Sequence, residues 1–126
     1  MPGRPLKLPR PRRLWLPPDA EGTESLAANR TKLAGRLLER GSLRYTPAGI
    51  PVIEFRVAHV SEQIEAATSR RVECELACVA VGPTALLLKE TSPSAGLIVS
   101  GFLAARSLKQ KTPVLHVTTI EFAEEN

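Results

Sequence analysis

"RTKLAGRLLER", residues 30–40, can be read as a helix or as a strand, and the architecture of the whole chain turns on the choice. With the preceding "SLAAN" it puts Leu26, Leu33 and Leu37 at helical spacing, and Gly41 follows as a C-cap would. Read as a strand, Leu33, Gly35 and Leu37 alternate with Lys32, Arg36 and Leu38. Local pattern favours the helix. The rest of the chain argues against it.

Downstream, "LRYTPAGIPVIEFRVAH" (43–59) packs two prolines and a glycine into the five positions from Pro47 to Pro51, a sharp turn. After it Ile53, Phe55 and Val57 alternate with Glu54, Arg56 and Ala58, the period of a half-buried strand. "SEQIEAATS" (61–69) is polar and small and reads as a loop. "RRVECELACVAV" (70–81) alternates again, Val72, Cys74 and Leu76 against Arg71, Glu73 and Glu75. Gly82-Pro83 closes that strand, and proline at a first helical turn makes "PTALLLKET" a short helix. "GLIVSGFLAAR" is a strand that Gly101 interrupts with a bulge or bend. "SLKQKTP" is a basic loop and "VLHVTTIEF" a final β-branched strand. By alternation Phe55, Phe102 and Phe122 all read as core residues.

Strand, strand, strand, short helix, strand, strand is the layout of an OB fold, an all-β, five-stranded, partly open Greek-key barrel with a helix between strands three and four. A small barrel must coil its first and fourth strands hard, and Gly35 and Gly101 fall where those bends are needed. On that ground residues 30–40 are a strand.

The chain has 126 residues, enough for one domain and one core. Six of its eleven prolines lie in residues 1–18, where apolar periodicity is absent, so residues 1–28 are expected to be a disordered, basic, Pro-rich extension and 29–126 the folded domain. The extension holds five cations against three acids, and the domain twelve against ten, a surplus of only two. The extension is read as solvated chain, with nonspecific phosphate contact as the alternative. No apolar run approaches a membrane span, the start lacks a secretory apolar core, and its prolines would break an organelle-targeting helix, so a cytoplasmic protein is expected.

Catalytic chemistry finds little material. The single aspartate, Asp19, lies in the extension; His59 and His116 stand inside strands; no glycine-rich phosphate loop is present. Cys74 and Cys78, four apart on a strand, would sit about 13 Å from each other. That is too far for a disulfide or for one zinc, so both read as small core hydrophobes. No enzyme, metal or cofactor is expected.

In OB folds the ligand crosses the second and third strands between the loops joining strands one to two and four to five. Those loops carry Arg44 and Tyr45, and Arg106, Lys109 and Lys111; Arg56, Arg70 and Arg71 fall on the exposed register of the strands or at their ends. Seven of the domain's twelve cations would then crowd one face, which favours nucleic acid. Only Tyr45 is placed to stack on a base. Binding should rest on phosphates, with log K falling by about 0.7 per phosphate per decade of salt, roughly −3 for four or five contacts.

"NRTKLAGRLLE", "LRYTPAGIPVIEFRVAH", "VECELACVAVG" and "LIVSGFLAARSLKQKTPVLHVTTIEF" together resemble the primosomal replication protein N (PriB) family, relatives of the bacterial single-stranded-DNA-binding proteins. The resemblance spans residues 29–122. It implies an OB-fold homodimer of the replication-restart primosome that binds single-stranded DNA and joins the helicase PriA and DnaT to reload the replicative helicase. It also implies DNA contact at Arg44 and at Arg106, Lys109 and Lys111. Where some members carry a stacking tryptophan on the third strand this chain has Glu73, and a family cation after the second strand's histidine is Val60 here. Those departures motivate an alternative, a protein-interaction module that docks a helicase with weak nucleic-acid binding. An RNA-binding OB protein of the translation machinery is a third reading.

Overall fold

The structure, a computed structural model, describes residues 26–123. The expected disordered extension, apart from its last three residues, lies outside that range. The elements are β1 (Thr31–Arg40), β2 (Arg44–Tyr45), β3 (Pro51–Glu65), β4 (Thr68–Val81), α1 (Pro83–Lys89), β5 (Gly96–Ala105) and β6 (Pro113–Phe122).

Residues 30–40 form a strand, and the reason is tertiary. The first half of β1 pairs with β5 from Thr31–Gly101 to Arg36–Gly96, and its second half crosses to β3 from Arg36–Ala58 to Arg40–Phe55. One strand therefore serves two neighbours and closes the sheet β1-β5-β6-β4-β3 on itself, with β4 and β6 parallel. Gly35 sits at the crossing, where a Cβ would overlap the Ala58 carbonyl oxygen and the Val57 side chain. Gly101 marks a register shift between β5 and β6, and a Cβ there would overlap the His116 carbonyl. Both bends are places where only hydrogen fits.

The interior is filled by alternate residues of all five strands: Leu37, Ile53, Phe55, Val57, Cys78, Ala80, Leu97, Val99, Leu115 and Val117. α1 caps one end, contributing buried Ala85 and Leu88. The Pro-Gly turn folds back through Thr46 N–H to Ile50 O (2.9 Å) and Gly49 N–H to Thr46 O (2.8 Å), which pairs Arg44 with Val52 and Tyr45 with Pro51.

Three expectations are corrected. Residues 61–69 are not a loop: β3 and β4 continue as one long hairpin joined by Ala66-Ala67, both at positive φ (53° and 65°). Positive φ at both central positions is the type I′ geometry, and Ala-Ala lacks the Asn-Gly signal that usually announces it. The outer hairpin leaves the barrel, so both its faces are wet and no apolar alternation marks it. For the same reason Cys74 is exposed while Cys78 is buried. Phe102 and Phe122 are not core residues either, at 42% and 48% exposure. Leu97 and Val99 use the inward side of β5, so Phe102 points outward, and Phe122 is the terminal residue of β6.

Candidate nucleic-acid interface

Strand alternation that sends Ile53, Phe55 and Val57 inward sends Glu54 and Arg56 outward, with buried Val52 on the same side of β3. On β4 the same rule exposes Val79 and Val81 outside Cys78 and Ala80, and the parallel register sets Val79 beside His116 of β6. These outward residues floor a groove of about 550 Å³. Its floor is mostly small and apolar; Arg40, Arg44, Arg56 and Arg106 surround it, with Glu39 and Glu54 among them.

The cations are not equally available. Arg44 pairs with Glu54 at 3.3 Å. Arg56 pairs with Glu75 and reaches Glu39 at 3.7 Å. Arg40 donates to the Thr91 carbonyl, tying the end of β1 to the segment after α1. Among the described residues Arg106, Lys109 and Lys111 take part in no ion pair. Their loop has structure of its own: Arg106 N–H reaches Thr112 O, Ser107 N–H reaches Gln110 O, and Gln110 N–H reaches the Ser107 hydroxyl, each at 3.0 Å. Lys109 and Lys111 are exposed on this small folded loop.

The expected crowding of seven cations is therefore partial. Arg44, Arg56 and Arg106 share the groove, and Lys109 and Lys111 ride on the loop that Arg106 begins. Arg70 and Arg71 do not join them. Arg71 lies six residues beyond Ala77 of the groove lining, about 20 Å along the strand, and pairs with Glu73 at 2.6 Å; Arg70 pairs with Glu65 at 2.7 Å. Residues 60–75 hold two cations against four carboxylates, Glu62, Glu65, Glu73 and Glu75, so this arm carries a net charge of −2 (2 − 4). Tyr45 is 59% exposed but absent from the groove lining, because β2 alternation turns it away from the side that Arg44 uses.

Sequence reasoning missed Arg40, His116 and Phe102. Arg40 had a signal, standing one residue before the glycine that ends β1. His116 and Phe102 had none, since their meeting depends on the β5–β6 register. His59 is structural: its Nδ1–H donates to the Ala34 carbonyl (2.6 Å) and its Nε2 meets the Ser61 hydroxyl (2.8 Å). It thus links β3 to β1 just beyond their last backbone pair. Burial pushes the Cys78 thiol up to about 12, which keeps it protonated and unreactive. Among the described residues no group of three His, Cys, Asp or Glu could hold a metal ion, and no helix is long and apolar enough to cross a membrane.

A closed five-stranded barrel with a basic-rimmed groove between two loops defines an OB-fold protein of the single-strand-binding class, and residues 29–119 match the family model described as another single-strand binding protein family. Relatives include replication restart protein PriB of Bordetella pertussis, 46% identical over 76 residues that cover 60% of this chain and 71% of that protein. The same-named protein of Nitrosomonas europaea is 32% identical, covering 79% and 93%. Among solved structures, PriB of Ralstonia solanacearum superposes with a TM-score of 0.70 at 34% identity, over 78% of this chain and all (100%) of that one. The single-stranded DNA binding protein of Thermus aquaticus shares the fold (TM-score 0.62, 21% identity, 77% of this chain and 50% of that chain). The chain belongs to the replication restart PriB family.

Proposed function

We propose that this protein is a single-stranded-DNA-binding component of the replication-restart primosome, not an enzyme, which grips DNA in the barrel groove. Arg106, Lys109 and Lys111 make the first phosphate contacts, while Arg44 and Arg56 join only by exchanging a carboxylate for a phosphate. It acts as a cytoplasmic homodimer that bridges PriA helicase and DnaT and helps reload the replicative helicase. Arg70, Arg71 and Tyr45 contribute at most peripheral contacts. The single observation that carries this reading is the groove itself, an apolar floor under four arginines, beside a folded loop whose three cations lack carboxylate partners among the described residues.

A second reading, a protein-docking module with weak nucleic-acid binding, draws on the ion pairs that occupy Arg44 and Arg56, on Glu73 and on the acidic arm. One experiment separates them: anisotropy titration of a labelled oligo-dT with wild type and with Arg106→Ala/Lys109→Ala/Lys111→Ala. The DNA-binding reading expects a loss of at least tenfold for the triple variant at low salt. Weak wild-type binding that the variant leaves unchanged would favour the docking module.

A further inference from the structure

Phe102 and His116 are register partners across β5 and β6, with ring centroids 5.1 Å apart and planes within 8°. His116 lines the main groove. Phe102 lines a second, shallow groove of about 500 Å³ together with Asn29, Lys32, Ser100 and Thr118. The stacked pair is thus the divide between two grooves on one outer face of the barrel. Asn29 fixes the far side: its amide donates to the Leu103 carbonyl (2.9 Å) and its side-chain oxygen accepts from Leu103 N–H (2.8 Å), pinning the entry to β1 against β5. Lys32, opposite Ser100, is exposed and in no ion pair among the described residues. Lys32 lies two strand spacings from β6 and two residues along the strands from the Phe102–His116 pair, about 12 Å from His116.

A base needs an aromatic surface beside its path and a cation beyond it to hold the next phosphate. Phe102 and Lys32 supply these in that order for a strand leaving the main groove over His116. We propose that the Phe102–His116 pair is a base-stacking subsite, and that bound single strands continue across it to Lys32, lengthening the site by roughly two nucleotides. The inference rests on the single-strand reading of the main groove.

The test is anisotropy with oligo-dT of increasing length, on wild type, Phe102→Ala, Lys32→Ala and Arg106→Ala. Phe102→Ala should weaken binding of longer oligonucleotides by about fivefold or more while matching wild type on the shortest one that binds. Lys32→Ala should flatten the salt slope by about 0.7. Phe102→Trp keeps the ring should the alanine variant misfold; its emission should be quenched by saturating DNA, beyond any change that Trp15 gives in wild type. Unchanged affinity of Phe102→Ala at every length, with Arg106→Ala weakened, overturns the subsite and leaves the groove standing. Unchanged affinity of Arg106→Ala as well removes the groove and the subsite together. A changed mass in sedimentation with unchanged DNA affinity would assign Phe102 to a protein contact, which also overturns the proposal.

Discussion

On the proposed DNA-binding reading Glu75 competes with DNA for Arg56, and removing its charge should make this protein bind tighter. The Arg56–Glu75 pair is about half exposed on both sides, with Glu39 as a second carboxylate. An exposed pair is worth about 0.2–1 kcal/mol, which a phosphate must offset before Arg56 can change partners. A carboxylate near 6 Å from that phosphate adds a repulsion of about 0.7 kcal/mol in water, less with screening. Glu75→Gln removes both, together about 1 kcal/mol, or roughly fivefold in affinity at low salt. It also frees one more cation, so the salt slope should steepen by about 0.7. The fold should stand, because a surface pair of this kind contributes little to stability. The assay is anisotropy of labelled oligo-dT between about 50 and 200 mM salt, with Glu65→Gln on the distal arm as the charge control. A Glu75→Gln protein that binds no tighter and keeps the wild-type slope would refute the idea that this arginine is held in reserve.

Other expectations concern the barrel. Gly101→Ala forces a Cβ into the His116 carbonyl and should cost about 3 kcal/mol or more, read as a lowered urea midpoint. Ala66→Asn/Ala67→Gly relieves two positive-φ alanines in the hairpin turn and should raise stability by about 1 kcal/mol, some 4–8 °C in Tm. The Cys78 thiol stays protonated in the fold up to about 12, whereas the unfolded thiol ionises near 9.0. Its contribution is therefore complete below pH 9 and is lost as pH rises towards 12, at about 1.4 kcal/mol per pH unit. Cys78→Ala should flatten the fall of the urea midpoint above pH 9, and a thiol reagent at neutral pH should label Cys74 alone in the native protein.

The barrel was legible because its demands leave local marks. Ile53, Phe55 and Val57 alternate, Gly82-Pro83 announces the helix, and Gly35 and Gly101 sit where strands must approach without side chains. Residues 30–40 were misleading by spacing alone, since β1 gives one half to β5 and the other to β3, and no local periodicity records a strand with two partners. The hairpin at 61–69 was illegible for the opposite reason: outside the barrel nothing selects apolar residues at every second position. The site was read by charge and therefore only in part. Sequence locates Arg44, Arg56 and Arg106 on the elements that border the groove but is silent on their partners. Whether a guanidinium faces Glu54 or solvent depends on cross-strand register. The ridge of Phe102 and His116 was hidden by the same limit: the register shift at Gly101 leaves Thr118 of β6 unpaired, so β5 alternates without a break and Phe102 faces away from Leu97 and Val99.

The most direct test of the account is the salt dependence of single-strand binding, measured on the full chain and on a chain beginning at Asn29. On an oligonucleotide too short to reach Lys32, the three loop cations without carboxylate partners predict a slope of log K against log salt near −2 for both proteins. A slope near zero, or one that collapses when residues 1–28 are removed, would contradict a groove that holds DNA through Arg106, Lys109 and Lys111.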